Sequence, residues 1–280
     1  MARQIAVSLA AFDGYAPEVA LDSIAACDAR CVELAYIVGY TEIFDQSSFT
    51  HAEARRWSSL LAERKLTCNA VSAHIDLGLE DAVEVFRPRM DFARSLGASV
   101  INTNAAHRSR GAQFYRNIEM LARHGEAIGL VIGLENPGNG EDNLFNLAAD
   151  GAALLRSLNL PSLGLNFDAA NLASHRPDAD VTQETLASLP YCIHYHLKDV
   201  ARRPDGWHFT PLGTGDIDHA AILPALARLP DLPVSLELPL RLRRGSNARP
   251  IRAPEALPLA EIEAAVTASL AYARRFLAET

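Results

Sequence analysis

The sequence predicts an α/β protein that folds as a single (β/α)8 TIM barrel over residues 1–280. Short apolar or β-branched runs alternate eight times with longer segments rich in Ala, Leu, Arg and Glu, and no Pro/Gly/Ser-rich linker divides the 280 residues. Eight such units in this length are typical of a barrel. The competing doubly wound sheet usually carries a glycine-rich nucleotide loop after its first strand, and "AAFDGYAPE" (10–18) contains no GxGxxG.

Each predicted strand is a short run with period-2 alternation, and each predicted helix is a longer run with helical composition. The strands are predicted at residues 4–12, 31–36, 66–77, 100–106, 131–137, 163–171, 193–200 and 233–239. The helical segments are predicted at residues 16–30, 51–65, 82–97, 112–129, 147–159, 181–190, 218–230 and 259–279.

Composition narrows the classes of partner. The 26 basic and 34 acidic side chains give a formal charge of -8. A net acidic chain does not offer the basic surface that nucleic-acid binding requires. No apolar run approaches the roughly 20 residues of a membrane helix, and the first residues lack a signal-peptide cleavage site. The four cysteines are too few for a disulfide framework and form no CxxC pair. We therefore expect a cytoplasmic protein with reduced cysteines and neither a nucleic-acid nor a membrane partner.

Ionisable side chains follow the inward face of four successive strands. Alternation turns Glu135, Asp168 and Glu237 inward at three strand ends. In "IHYHLKDV" (193–200) the inward face carries two histidines and a lysine, which are His194, His196 and Lys198. Since catalytic residues of (β/α)8 barrels stand at the C-terminal strand ends, these groups predict a site at one rim.

Carboxylates gathered in a barrel mouth repel one another and are costly to desolvate without a cation. Three carboxylates and one imidazole make an oxygen-rich set that leaves room for substrate oxygens. Such a set suits Mn²⁺, Mg²⁺ or Co²⁺ better than a closed, thiolate-rich zinc site. We expect one divalent metal ion per chain, with Mn²⁺ as the first candidate and Mg²⁺, Co²⁺ or Zn²⁺ as alternatives.

At this point the sequence resembles the xylose-isomerase-like barrels, which include sugar isomerases, ketose 3-epimerases, inosose dehydratases, hydroxypyruvate isomerases and endonuclease IV enzymes. The resemblance covers the whole chain and is most specific in "GLENPGNGEDN", "LGLNFDAANL", "HYHLKDV", "PLGTGDID" and "SLELP". It implies that the metal ligands are Glu135, Asp168, His196 and Glu237. The family pattern H-x-H/Q-x-x-D selects His196 over His194 as the ligand.

The departures from the family pattern concern histidines. Endonuclease-IV-like enzymes need further histidines for three zincs, and this chain offers His74 but has Asn104 and Asn171 where two others would fall. These departures argue against DNA repair, and Asn171 also departs from the DxxH of ketose 3-epimerases. His74 either binds substrate hydroxyls or is a barrel histidine with its own partners. We expect His74, Asn104, Asn171, His194 and Lys198 to contact substrate.

The resemblance implies a metal-dependent isomerase or epimerase of a keto-sugar or related polyol, working through an enediolate. In the similar epimerases one strand-end glutamate removes a proton and the other returns one, and Glu135 and Glu237 would form that acid/base pair. The alternative is a lyase, a dehydratase of inosose or dehydroshikimate type, with Lys198 or His194 as acid. A metal-dependent hydrolase and a non-catalytic sugar-binding barrel also remain open.

Arginines near the strand ends are candidates for binding an anionic group of the substrate. Arg241 and Arg243 follow Glu237 closely, where a guanidinium could clamp a carboxylate or phosphate, although a solvated basic loop is the alternative. "HRSRG" (107–111) is a second such candidate. Glu33 and Trp207 either line the pocket or serve packing. We also expect pairing through outer helices into a homo-oligomer.

Overall fold

The structure, a computed structural model, describes residues 3–277. The strands are β1 (Ile5–Ser8), β2 (Cys31–Tyr36), β3 (Thr67–Ala73), β4 (Val100–Asn104), β5 (Val131–Glu135), β6 (Leu163–Asp168), β7 (Cys192–Leu197), β8 (Asp199–Arg203), β9 (Gly206–Thr210), β10 (Val234–Leu236), β11 (Leu242–Gly245) and β12 (Pro250–Arg252). The helices are α1 (Pro17–Ala26), α2 (His51–Glu63), α3 (Ala82–Ser95), α4 (Gly111–Ile128), α5 (Ala148–Leu158), α6 (Ala169–His175), α7 (Val181–Ser188), α8 (His219–Ala227) and α9 (Leu259–Leu277).

Eight parallel strands close into a barrel in the order β1-β10-β7-β6-β5-β4-β3-β2, which confirms the predicted (β/α)8 fold. The alternation that predicted the strands decides their faces. On β5, Ile132 and Leu134 are fully buried in the apolar core, while Gly133 and Glu135 point the other way. A Cβ at Gly133 would clash with the side-chain oxygen of Asn102 on β4, so a larger residue would have to displace that side chain.

The strand register aligns the C-terminal ends that carry the ionisable residues. Glu135 pairs with Asn166 across β5 and β6, and Asp168 pairs with His196 across β6 and β7. His196 in turn pairs with Ser235 of β10, two residues before Glu237. The register therefore brings the predicted site residues to the same end of the barrel.

Several strands end earlier than the sequence predicts, because side chains cap the turns that follow. The predicted strand 163–171 stops at Asp168, whose Oδ1 accepts a hydrogen bond from Asn171 N at 2.9 Å and begins helix α6, which the sequence analysis missed. The predicted strand 4–12 stops at Ser8, which caps a 3-10 turn over Leu9–Phe12. Polar capping groups within an apolar run are easily read as continued strand.

A four-stranded antiparallel sheet in the order β12-β11-β9-β8 was not predicted from the sequence. Its strands come from the segments after β7 and after β10, so the predicted strand 193–200 is divided in two. Gly206 has φ +130° and faces the Arg244 carbonyl so closely that a Cβ would clash with it. This small sheet shapes one wall of the site.

Two further features concern the cysteines and the helices. All four cysteines, Cys27, Cys31, Cys68 and Cys192, are free thiols. Within residues 3–277, no helix combines the length and the apolar character needed to cross a bilayer.

Candidate metal centre and its cavity

Four buried side chains converge where β5, β6, β7 and β10 end. They are Glu135, Asp168, His196 and Glu237, and each offers one ligand atom within 4.8 Å of all the others. The structure thus brings together the four residues that the sequence analysis selected as ligands.

The ring of His196 is oriented by contacts at both nitrogens. Its Nδ1 lies 3.4 Å from an oxygen of Glu135, 3.4 Å from an oxygen of Glu237 and 3.8 Å from Asp168 Oδ2. Its Nε2 lies 3.1 Å from Glu33 Oε1 on the opposite side. A histidine ligand typically donates its second ring N–H to a carboxylate, and Glu33 is placed to accept it.

The charges of the cluster are strongly coupled. Burial by itself would lower the pKa of His196, but the carboxylates of Glu33, Glu135 and Glu237 outweigh burial and raise that pKa well above its usual value. Burial would raise the pKa of Glu135, yet His196 and His74 hold it well below its usual value. The carboxylate of Glu135 is therefore held ionised, as a metal ligand must be.

Lys198 supplies a second positive charge inside the cluster. Its Nζ lies 2.7 Å from Glu237 Oε2 and 3.1 Å from Asp168 Oδ2. Burial opposes the charge, but these two carboxylates raise the pKa of Lys198 above its usual value. The ammonium therefore stays charged beside two of the candidate ligands.

The donor set fits a divalent cation. Glu237 Oε1 is buried with no hydrogen-bond partner, and Asp168 Oδ2 contacts Lys198 without accepting a hydrogen bond. Unpartnered buried carboxylate oxygens are costly, and a cation satisfies them. Three carboxylates and one imidazole nitrogen match the ligand preference of Mn²⁺ or Mg²⁺.

A second group of three residues, Glu33, His194 and His196, lies below the first. His194 is fully buried, with Nδ1 2.9 Å from Asn166 Oδ1 and Nε2 2.9 Å from Ser235 Oγ. Its ring nitrogens are thus already engaged, and burial lowers its pKa to about 4. We interpret this group as a hydrogen-bond network that supports the four candidate metal ligands.

Three asparagines that the sequence analysis did not assign as supports position the carboxylates. Asn166 Nδ2 donates to Glu135 Oε2 at 2.7 Å, and Asn171 Nδ2 donates to Glu135 Oε1 at 2.8 Å. Asn136 bridges β5 and β6 through two 2.8 Å bonds to the backbone of Asp168. The period-2 pattern could have indicated Asn166, since it lies inward two residues before Asp168.

A cavity of about 450 Å³ opens above the cluster, which is within the usual size of ligand sites. Glu135 and Glu237 reach it. Among the predicted substrate contacts, its lining includes His74, Asn104, Asn171 and Lys198. Two lining residues that were not predicted are Tyr40 and Arg244.

Three predicted substrate contacts lie elsewhere. His194 lies in the network below the cluster, as described above. Arg241 is held by Asp13 at 3.3 Å and Glu42 at 3.4 Å, and Arg243 lies 3.4 Å from Asp205. The segment after Glu237 is not a solvated loop either, because it forms strand β11. Alternation along that strand places the side chains of Arg243 and Arg244 on opposite faces.

The other candidates of the sequence analysis also have local partners. Arg108 pairs with Asp142 at 3.0 Å, and Arg110 pairs with Asp76. Trp207 is buried in the small sheet, outside the cavity lining. Glu33 lies beneath the cluster and does not line the cavity.

Comparisons with known proteins agree with this architecture. The D-psicose 3-epimerase from Clostridium cellulolyticum H10, solved with D-tagatose, is 14% identical with a TM-score of 0.76, covering 98% of this chain and 99% of that chain. The probable 3-DHS dehydratase from Bacillus anthracis is 16% identical with a TM-score of 0.69, covering 94% and 97%. A xylose isomerase-like TIM barrel protein from Mycobacterium smegmatis, solved with magnesium, is 17% identical with a TM-score of 0.71, covering 97% of each chain.

At these identities the solved structures establish the fold alone. No curated protein sequence matches this chain. Among protein families, the one described as xylose isomerase-like TIM barrel matches residues 21–262. This match confirms the resemblance inferred from the strand-end motifs, and the chain belongs to the xylose isomerase-like TIM barrel family.

Proposed function

We propose that this protein is a divalent-metal-dependent isomerase or epimerase of a keto-sugar or related polyol. The observation that carries the proposal is a pair of glutamates, Glu135 and Glu237, that share one buried cluster and both reach the cavity. Isomerisation next to a carbonyl needs one group to take a proton from carbon and one to return it.

A divalent cation held by Glu135, Asp168, His196 and Glu237 would polarise a substrate carbonyl and so acidify the neighbouring C–H bond. Glu135 is placed to take that proton, because it reaches the cavity and Asn166 and Asn171 fix its two oxygens. Proton removal gives an enediolate of the substrate.

Glu237 is suited to serve the opposite face of the substrate. Lys198 Nζ donates to Glu237 Oε2 at 2.7 Å and lies at the cavity wall. The ammonium keeps that carboxylate oriented. Reprotonation of the enediolate on the other face gives an epimer, and reprotonation at the neighbouring carbon gives the aldose or ketose isomer.

Elimination is the second candidate reaction, and the position of Lys198 at the cavity wall supports it. A buried ammonium at the cavity wall can protonate a departing β-hydroxyl of the same enediolate. The fold likeness to a probable 3-DHS dehydratase is consistent with this alternative. The site residues and their roles are otherwise the same.

Proton exchange in D2O tests both reactions. The protein, with Mn²⁺, is incubated with keto-sugars, an inosose and 3-dehydroshikimate, and deuterium at the carbon next to the carbonyl is measured by NMR. We expect exchange that stops on chelation and falls about 10²–10⁴-fold in Glu135→Gln. Glu119→Gln, an exposed carboxylate on α4, is the matched control and should exchange as the unmodified protein does.

The products separate the two reactions, since an epimer or isomer marks reprotonation and an unsaturated, ultraviolet-absorbing product marks elimination. Absence of exchange across the whole panel with metal present would count against both. If the unmodified protein binds a sugar without turning it over, and Glu135→Gln binds that sugar equally tightly, the non-catalytic sugar-binding barrel is favoured. Hydrolysis of a phosphate or glycoside would favour the hydrolase.

A further inference from the structure

Arg244 is a buried cation on the wall of the cavity. It lies on β11 and is 4% exposed. Its Nη1 donates to the carbonyl of Ala248 at 3.2 Å, and its Nη2 donates to Asn171 Oδ1 at 3.2 Å. Its Nε is buried without a hydrogen-bond partner. The guanidinium therefore has neutral oxygen partners and an unused donor.

Three other arginines of the segment 241–252 have carboxylate partners, and the remaining one, Arg249, is exposed to solvent. Arg241 and Arg252 pair with Asp13, and Arg243 pairs with Asp205. Within residues 3–277, Arg244 forms no such ion pair with a carboxylate. A buried charge normally requires a counter-charge, and the place where one can approach this guanidinium is the cavity that it lines.

The surroundings of Arg244 connect it to the metal cluster. Asn171 Oδ1, which accepts from Arg244, is also 3.3 Å from Lys198 Nζ, and the same asparagine donates to Glu135. The ring of Tyr40 lies 5.3 Å from the guanidinium carbon, and its buried Oη has no partner. Arg244 and Tyr40 therefore line the same cavity as Glu135 and Glu237.

We propose that Arg244 binds a carboxylate of the substrate, so that the natural substrate is a keto-sugar acid and not a neutral ketose. The proposal rests on the proposed function for the reacting end of the molecule. A carboxylate presents two oxygens to the Nε and Nη2 edge of one guanidinium, with Tyr40 Oη as an additional donor.

A phosphate is disfavoured by the charges of the cavity. It would bring about two negative charges near Glu135, Asp168 and Glu237. Two other basic residues line the cavity, and both are already engaged: Lys198 contacts two of these carboxylates, and His74 Nε2 lies 3.2 Å from Glu135. Arg244, the lining cation without a carboxylate partner within the described part of the chain, matches one carboxylate.

The test compares three sugars that differ at C6 alone. They are D-fructose, its C6 acid D-fructuronate and D-fructose 6-phosphate, with D-tagaturonate as a second acid. Binding is measured by calorimetry with Mn²⁺ and again with a chelator, and D2O exchange is measured in parallel. We expect the acids to bind at least about 30-fold more tightly than fructose, and that preference to disappear in Arg244→Gln.

Arg243→Gln is the matched control, because it removes a neighbouring arginine of β11 whose partner is Asp205. It should keep the preference for the acids. Gly138→Ala is a second variant that leaves all charges in place, since a Cβ at Gly138 would clash with the guanidinium of Arg244. It should lower the affinity for the acids relative to fructose, which keeps the test decisive if Arg244→Gln fails to fold.

The outcomes separate this proposal from the proposed function. Exchange of neutral fructose without any preference for acids, or tighter binding of the phosphate, overturns the role of Arg244 while the isomerase remains. A preference for acids that survives Arg244→Gln also overturns it, as does failure of both acids to bind. A preference lost in Arg244→Gln without exchange of any sugar supports the anion site and counts against the isomerase.

Discussion

Replacing Glu33 with glutamine removes one negative charge from beneath the metal cluster and leaves the shape of the side chain nearly unchanged. Glu33 is fully buried on β2, accepts from Ser72 Oγ at 2.5 Å and lies 3.1 Å from His196 Nε2. The substitution therefore tests whether this carboxylate holds the ligand histidine.

The pKa of Glu33 sets the expected size of the effect. Burial would raise that pKa, but His196 and the neighbouring donors outweigh burial and lower it from 4.5 to about 2. At 1.36 kcal/mol per pKa unit, the charged form stabilises the folded metal-free protein by about 3 kcal/mol. Because the folded pKa is lowered, this stability is present above pH 4.5 and is lost as the pH falls through about 2.

The assay is urea unfolding of the metal-free protein at pH 7 and pH 3. Glu33→Gln should lower the free energy of unfolding by about 3 kcal/mol at pH 7 and by roughly 1 kcal/mol at pH 3. The exposed control Glu119→Gln should change it by less than about 0.5 kcal/mol. Calorimetric Mn²⁺ affinity should fall about 10- to 100-fold, as for other partners of histidine ligands. Unchanged unfolding at pH 7 together with unchanged Mn²⁺ affinity would refute the reasoning.

Three further predictions concern acid stability, metal content and assembly. Burial, together with Arg176 and Arg244, lowers the pKa of His175 from 6.5 to about 3. The stabilisation of the folded protein that depends on neutral His175 is therefore complete above pH 6.5 and is lost as the pH falls towards 3. Unfolding free energy should thus fall by about 2 kcal/mol from this group between pH 7 and pH 5, and an equal fall in His175→Gln would contradict it. Asp168→Ala should abolish stoichiometric metal binding and His194→Ala should retain it, as measured by elemental analysis; two or three zincs per chain would contradict the single site. Light scattering should show a homo-oligomer at micromolar concentration, and a monomer would remove that expectation.

Local pattern was sufficient to predict the barrel and the convergence of three carboxylates at one of its rims. Period-2 alternation separates Ile132 and Leu134 from Glu135, and a parallel barrel places all strand ends at one rim. The convergence of Glu135, Asp168 and Glu237 follows from those two facts, since each residue stands at or just after its own strand end. The choice of His196 over His194 came from the family resemblance, and period alone does not distinguish two inward histidines.

The tertiary structure alone decided which residues surround these carboxylates. Glu33 was known to face inward, but the barrel register decides that it lies under His196, outside the cavity. Likewise Asp168 ends its strand because its side chain caps α6, a competition between local hydrogen bonds that an apolar run conceals.

The wall of the cavity shows the same limit more clearly. Sequence proximity to Glu237 suggested Arg241 and Arg243 as anion contacts, whereas Arg244 is the arginine that lines the cavity. Its direction depends on the antiparallel pairing of β11 with β9, in which Arg244 lies opposite Trp207. A shift of one residue in that register would exchange the faces of Arg243 and Arg244. Such a register is set by contacts between segments distant in the chain, so it could not be determined from either segment alone.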